Sequence, residues 1–137
     1  YMHGNKICVT VILEKEDDNL AKDICMHIAA MKPVAIDSEG ISVKSLEQEK
    51  EIFTAQANES GKPQDIIKKM VDGKMKKYIA EVTLVNQNFV KDSEITVEEL
   101  LKKNNNNVLS FFRMEVGEGI EKKDENFADE VMAQIKK

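Results

Sequence analysis

The first forty residues show two different spacings of apolar side chains. Over residues 7–13 apolar residues recur at every second position and many are β-branched, which predicts a strand with one well-buried face. Over residues 20–31 they recur three or four positions apart, which predicts a helix that packs against the sheet and ends before Pro33. The apolar positions of this helix are Leu20, Ile24, Ile28 and Met31.

Two charged segments in the middle of the chain predict a helical hairpin. Residues 43–58 carry few apolar side chains between runs of charge, which suits a helix that has one partner helix. Gly61 and Pro63 suit the end of one helix and the first turn of the next. Apolar residues three or four apart then supply a complementary stripe. We therefore expect residues 43–78 to form a protruding, antiparallel, coiled-coil-like hairpin.

The rest of the chain predicts two more strands and two more helices. Near residues 81–85 the apolar period changes toward two, with Val82 and Leu84 on one side, which predicts a second strand. Thr96 can cap a short helix, and the asparagines 104–107 suit a polar loop after it. A third strand is expected over residues 108–116. One face of this strand would carry Val108, Ser110, Phe112, Met114 and Val116. A last helix from about Glu125 to the end would bury Phe127, Val131 and Ile135.

Together these elements predict an α+β fold class with a three-stranded antiparallel sheet packed with helices. Residues 1–42 and 79–137 would form a core subdomain that includes the C-terminal helix, and residues 43–78 would form the hairpin. Because residues 1–4 lead directly into an apolar strand, we expect the chain to begin inside a domain and to be a fragment of a longer protein.

Composition excludes several classes of function. The chain has 137 residues and a net charge of −5, so a surface that binds nucleic-acid phosphates is not expected. We see no apolar run long enough to cross a bilayer and no charged-then-apolar leader, and we expect a soluble, cytoplasmic protein. Cys8 and Cys25 lie among apolar neighbours, as reduced thiols do, and their spacing from His3 and His27 does not favour zinc.

One motif invites a nucleotide-binding interpretation. A predicted strand leads into Gly117-Glu118-Gly119 and then into a helical pattern, which copies the order of a dinucleotide loop. The segment lacks the third glycine, and Glu118 and Glu121 would place negative charge beside a pyrophosphate. With no nucleophile or acid–base motif elsewhere, we expect no enzyme and no cofactor.

Histidines and one short apolar segment are the remaining candidates. His3 precedes Gly4 in an expected surface loop and could contact a partner, although on spacing alone a solvated loop histidine is the favoured interpretation. His27 lies among apolar residues of the first helix and is expected to be a structural histidine with satisfied hydrogen bonds. Phe89 and Val90 could form an exposed contact or return to the core, and we favour the core.

Several short blocks in a particular order give the chain a resemblance to a known family. The blocks are Tyr1–Gly4, Met26–Ala30 with Lys32–Pro33, Gly61–Pro63, Lys69–Lys77, Phe89–Val90, Phe112–Lys123 and Phe127–Val131. Each block alone is a weak signal, but the ordered set is specific. From Tyr1 nearly to its end, the chain resembles the C-terminal half of the translation elongation factor Ts family.

This resemblance implies a guanine-nucleotide exchange factor that binds the GTPase elongation factor Tu and promotes GDP release without covalent chemistry. It implies no direct nucleic-acid partner and no membrane. The partner-binding positions that it implies in this sequence are His3, Gly4, Val90, Phe127 and Val131. It also links the hairpin to self-association in some members, so a homodimer or a structural dimerisation module is the alternative function.

The chain departs from the family pattern in ways that bear on activity. The family's Thr-Asp-Phe-Val segment and its N-terminal helical module do not occur here, so we expect exchange by this chain alone to be impaired. Asn88 stands where many relatives carry proline, which predicts a looser backbone before Phe89. A eukaryotic source would place such a protein in an organelle matrix.

Overall fold

Five strands and four α-helices make up the part of the chain that the computed structural model describes, residues 1–119 and Ile135. The strands are β1 (Met2–His3), β2 (Ile7–Leu13), β3 (Asn88–Phe89), β4 (Asp92–Thr96) and β5 (Val108–Glu115). The helices are α1 (Asp18–Met31), α2 (Val43–Asn58), α3 (Gln64–Val82) and α4 (Val97–Lys103). Phe127 and Val131 of the predicted last helix lie outside the described residues. Ile135 is helical but 74% exposed, so its predicted burial is wrong.

The main sheet has three antiparallel strands in the order β1-β2-β5, which confirms the predicted α+β class with an antiparallel sheet. Its third member is β1, however, and the strand predicted over residues 81–85 is wrong. There α3 ends when the Thr83 amide donates to Ile79 O, and Leu84 begins a short 3-10 turn. Thr83 makes only an isolated parallel bridge to Ala35. The two-residue spacing of apolar side chains near residues 81–85 therefore came from the end of α3 followed by a tight turn.

The face of β5 that carries Ser110, Phe112, Met114 and Val116 points to solvent. Beyond Val108, which is buried, Phe111 packs on the core whereas Phe112 is 60% exposed and Met114 is 56% exposed. Arg113 points to the inner side, where its Nη2 donates to Ala29 O at 3.3 Å and to Glu115 at 2.9 Å. Because these acceptors satisfy part of the guanidinium, a charged residue can occupy a position on the inner face of the sheet.

Helix α1 covers the inner face of the sheet and supplies more buried residues to the main core than any other element. Its N-cap, Asp17, accepts from the Leu20 amide at 3.0 Å, and its C-terminal cap, Lys32, takes the left-handed conformation before Pro33. The core residues with no exposed surface are Val9, Ile24, Ile28, Leu84 and Val97. Met31, which the helical spacing assigned to this stripe, is 45% exposed because α1 runs past the edge of the core.

A second, two-stranded sheet joins β3 to β4 and was not predicted as a sheet. Phe89 pairs with Asp92, which leaves Val90 and Lys91 in the turn between the two strands. Thr96 then starts α4 with a capping box, since its hydroxyl accepts from the Glu99 amide and Glu99 accepts in return from the Thr96 amide. This confirms the predicted cap.

Helices α2 and α3 pack side by side around a small apolar cluster of their own. The cluster contains Ala57, Ile67 and Val71 in buried positions, with Phe53 and Met75 packed against them. Phe53 also makes an edge-on contact with Tyr78, whose ring centroid is 6.3 Å away. Lys74 lies 5.7 Å from the centroid of the Phe53 ring. The cluster shares no residue with the main core among the residues that the structure describes.

Candidate functional site

A groove of about 380 Å³ lies where β1, α1 and the β3–β4 turn meet. We call it the His3 groove. It is lined by Tyr1, His3, Ile7, Met26, Ala29, Ala30, Val90 and Lys91. Most of these side chains are apolar. The polar ones are Tyr1 and His3, at the start of the chain, and Lys91, in the turn between β3 and β4. Such a lining suits the docking of a side chain from another molecule better than it suits chemistry.

His3 is held at the groove by the first hairpin of the chain. It pairs with Ile7 in the β1–β2 ladder, and the Val9 amide donates to Tyr1 O at 2.9 Å. The Tyr1 hydroxyl and His3 Nδ1 form a hydrogen bond of 2.9 Å, which orients the exposed imidazole. Gly4 follows with a φ of +55°, a backbone conformation that glycine adopts without steric cost. His3 therefore lies on a strand edge next to a tight turn.

Val90 reaches the groove from the turn between β3 and β4. It is 45% exposed, whereas its neighbour Phe89 is 5% exposed and belongs to the main core. The predicted return to the core is thus confirmed for Phe89 and wrong for Val90. Lys91 in the same turn forms an ion pair with Asp23 of α1, which ties the turn to that helix.

The backbone amide of Val90 also forms a hydrogen bond with the side chain of His27, which has no exposed surface. The Val90 amide donates to His27 Nδ1 at 3.1 Å, so Nδ1 is the acceptor and the proton lies on Nε2. Nε2 in turn donates to Gln87 Oε1 at 2.9 Å, and Gln87 Nε2 donates to Glu81 O at 2.8 Å. Burial lowers the pKa of His27 below its ordinary value, although the bond to Gln87 opposes this shift. The predicted structural histidine with satisfied hydrogen bonds is confirmed.

The predicted partner-binding residues thus separate into two groups. His3 and Val90, from distant parts of the sequence, line one groove, and Gly4 forms the turn beside it. Phe127 and Val131 lie outside the described residues. Sequence reasoning did not assign Met26 or Lys91 to the groove, because only the tertiary fold brings α1 and the β3–β4 turn to β1.

The other chemical candidates of the sequence have structural roles here. Gly117 and Gly119 both have positive φ, and the Glu118 amide between them donates to Glu115 O at 3.1 Å, so that amide does not face a ligand. Cys25 is buried, its Sγ lies 3.8 Å from Val9 O, and burial raises the pKa of its thiol. Across residues 1–119 we find no cluster of three His, Cys, Asp or Glu side chains that could hold a metal ion.

No helix within the described part of the chain has both the length and the apolar character needed to cross a membrane.

Comparison with known proteins shows one consistent similarity. A family model described as Elongation factor TS matches residues 1–118. Elongation factor Ts of Thioalkalivibrio sulfidiphilus is 60% identical over 136 residues, which are 99% of this chain and 46% of that protein. Elongation factor Ts of Legionella pneumophila strain Lens is 54% identical over 99% of this chain and 47% of its own length. That of Ruthia magnifica is 56% identical over 98% and 46%. The chain therefore spans about half the length of the curated relatives it matches.

Proposed function

Because this chain belongs to the elongation factor Ts family, we propose that it binds the GTPase elongation factor Tu through the His3 groove, as part of a guanine-nucleotide exchange factor. The observation that carries the proposal is the meeting of His3 and Val90 in one groove. The family resemblance implies each of these positions separately as a contact with the GTPase. Translation would place the protein in the cytoplasm, or in an organelle matrix for a eukaryotic source.

Exchange of this kind needs no catalytic side chain on the exchange factor. A protein that binds the nucleotide-free GTPase more tightly than the nucleotide-bound form must weaken nucleotide binding by the same coupling free energy. Each tenfold loss of nucleotide affinity corresponds to about 1.4 kcal/mol of coupling. The groove needs only to favour one conformation of its partner.

The lining of the groove supports a protein partner. Val90 exposes 45% of its surface beside a half-buried Met26, and apolar side chains in such a concave position gain free energy when a partner covers them. The His3 imidazole at one side and Lys91 at the other can direct the orientation of what binds. A side chain of the GTPase with an apolar stem would fit this pattern.

The proposal is tested by the affinity of this chain for nucleotide-free elongation factor Tu, measured by titration calorimetry. We expect His3→Ala to weaken binding at least about fivefold, because the loss removes an interfacial side chain but only an exposed hydrogen bond within the chain. Lys103→Ala, an exposed change at the end of α4 outside the groove, is the control and should bind as the unmodified chain does. Equal affinity for His3→Ala and the control would remove the His3 groove from the interface.

We further propose that this chain alone exchanges nucleotide poorly. The Thr-Asp-Phe-Val segment, which the family resemblance places against the GTPase near its magnesium, does not occur in this sequence. Release of a fluorescent GDP should therefore be slower with this chain than with the longer Thioalkalivibrio sulfidiphilus relative at equal occupancy of the GTPase. Equal rates at equal occupancy would show that the segment is dispensable.

Self-association through α2 and α3 is the second candidate function. We propose that residues 43–78 form an antiparallel hairpin that projects from a core made of residues 1–42 and 79–137. The separate apolar cluster between the two helices supports this division, and Ile52 and Ile66 are 49% and 44% exposed, which leaves apolar surface for a second copy. Sedimentation equilibrium of the chain and of Ile52→Asp tests it. A monomer mass for both proteins at micromolar concentrations would exclude a dimer at those concentrations.

A further inference from the structure

We propose that His27 is a positioning residue for the His3 groove, because its Nδ1 holds the backbone of the turn that carries Val90. The inference rests on the proposed function for its effect on partner binding. Its structural part, that Nδ1 determines the position of the Val90 turn, stands on the geometry alone. His27 lines no part of the groove and would act only through Val90.

The turn needs such support because the ladder around it is short and irregular. β3 contains two residues, its register with β4 shifts between Asn88 and Phe89, and Val90 lies outside the paired positions. The acceptor that the structure supplies for the Val90 amide is a side chain from α1, His27 Nδ1 at 3.1 Å. One hydrogen bond therefore connects the helix under the groove to the residue that projects into it.

Two neighbours hold the imidazole of His27 in one orientation. Gln87 accepts the Nε2 proton at 2.9 Å and is itself buried and bonded to Glu81 O. Phe89 stacks on the ring, with centroids 6.0 Å apart and planes inclined by 26°. A ring held in this way presents Nδ1 to Val90 as an acceptor with little rotational freedom, as a second layer of contacts does beneath a functional residue.

Two substitutions at position 27 distinguish the roles of the two ring nitrogens of His27. In His27→Asn the Oδ1 atom can stand near the place of Nδ1 and still accept from the Val90 amide, whereas the contact with Gln87 is lost. In His27→Gln the side-chain amide can stand near Nε2 and still contact Gln87, whereas the acceptor for Val90 is lost. Both variants replace a buried ring with a smaller amide, and the shorter asparagine leaves the larger cavity, so a loss of packing alone would harm His27→Asn at least as much as His27→Gln. A merely structural role would therefore not weaken the binding of His27→Gln selectively.

The first measurement is hydrogen exchange of the Val90 amide, followed by NMR. We expect His27→Asn to keep the protection of this amide within about threefold and His27→Gln to lose at least about tenfold, since a backbone amide without its acceptor exchanges with solvent. Similar protection in the two variants would overturn the proposal. This measurement needs no partner, so it decides the role of His27 even if the His3 groove does not bind elongation factor Tu.

The second measurement is affinity for nucleotide-free elongation factor Tu. We expect His27→Asn to bind within about threefold of the unmodified chain and His27→Gln to bind about tenfold more weakly than the unmodified chain. Both affinities are measured at a temperature at which both variants are folded. If His3→Ala weakens binding but the two position-27 variants bind alike, the groove is the interface and His27 does not position it. If His3→Ala also has no effect, the proposed interface fails instead.

The unmodified chain gives a third arm that does not depend on the folding of any variant. Protonation of His27 places a hydrogen on Nδ1 and removes the acceptor, so protection of the Val90 amide should fall at least about tenfold as His27 protonates. The groups in contact with the ring, Gln87, Phe89 and the Val90 amide, are neutral, and the nearby Asp23 and Lys91 pair with each other. Protection that persists after the imidazole signals of His27 have titrated would contradict the proposal.

Discussion

The Asn106 side chain forms hydrogen bonds with both backbone polar groups of Lys15: its Oδ1 accepts from the Lys15 amide at 3.0 Å, and its Nδ2 donates to Lys15 O at 2.9 Å. The Asn106 side chain is buried, and its Oδ1 also accepts from the Asn107 amide at 2.9 Å. One asparagine of the loop between α4 and β5 therefore replaces a strand partner for the loop between β2 and α1.

We predict that Asn106→Ala lowers the free energy of unfolding by about 1–3 kcal/mol, because it removes three hydrogen bonds of a buried side chain and leaves partly buried backbone groups of Lys15 without these partners. Urea titration followed by circular dichroism measures the loss. Asn107→Ala is the matched control, since that side chain is exposed and donates only to Glu14, and it should cost less than about 1 kcal/mol. Equal losses for the two variants would mean that the contact with Lys15 contributes nothing beyond an ordinary loop interaction.

Gly4 should resist substitution for a backbone reason alone. Its φ is +55°, and a Cβ added there would meet nothing within 4 Å. We expect Gly4→Ala to destabilise the fold by about 1 kcal/mol, because a left-handed conformation is unfavourable for L-residues with a side chain. Gly4→Asn should cost less, since asparagine tolerates this region better. Thermal unfolding of both variants checks the order, and an asparagine variant less stable than the alanine variant would contradict it.

Gly73 should respond in the opposite direction. It lies inside α3 with no positive φ and with open space around the position of a Cβ. Gly73→Ala is expected to raise the free energy of unfolding by about 0.5–1 kcal/mol, because alanine loses less conformational entropy in a helix than glycine does. Chemical denaturation monitored at the helix signal measures it. A destabilised alanine variant would show that this position contacts something when the chain is in solution.

Mild acid should destabilise the fold through His27. Burial lowers the pKa of this imidazole below 6.5, so the unfolded chain binds the proton more readily than the folded chain does. The contribution of His27 is therefore complete above about pH 6.5 and is lost progressively as pH falls from there toward the folded pKa. Denaturation midpoints measured from pH 7.5 to 5 should decline for the unmodified chain and decline less for His27→Asn. Parallel declines would assign the effect to other groups.

Glu115 should affect the stability of the fold at a lower pH than His27 does. Hydrogen bonds from Lys32 and Arg113 lower the pKa of this carboxyl below its ordinary value, so its stabilising effect is present above about pH 4.5 and is lost as pH falls further. The two groups therefore act in the same direction but in separate windows. The difference in slope between the unmodified chain and His27→Asn from pH 6.5 to 5 therefore reports on His27, because Glu115 acts mainly below that range.

The sequence predicted the elements with strong apolar periodicity and missed the short or polar strands of two local hairpins. Strand β2, helices α1 to α4 and strand β5 follow from apolar spacing and from caps such as Thr96. β1 and β4 are short or polar, and only their partners make them strands. The apolar alternation at Val82 and Leu84 resembled a strand because a helix end and a 3-10 turn can bury residues at the same spacing.

The candidate site shows the same division. The family resemblance pointed to His3 and Val90 but could not show that they lie in one groove. The apolar surroundings of His27 predicted a satisfied buried histidine, which is correct, yet the identity of its partners depends on the β3–β4 turn. The inner position of Arg113 could not be predicted for a related reason: one of its acceptors is the backbone carbonyl of Ala29, and a backbone carbonyl cannot be identified from a residue pattern.

The pairing of β2 with β5 also has a consequence for the order of folding during synthesis. Ile7 pairs with Glu115, so the main sheet joins two segments separated by most of the described chain. Contacts between α2 and α3, in contrast, are local and can form as soon as both helices have left the ribosome. The helix pair can therefore fold early, whereas β2, although made before it and able to pair locally with β1, must wait for β5 on its other edge. During that interval the unpaired backbone edge of β2 is open to pairing with other strands.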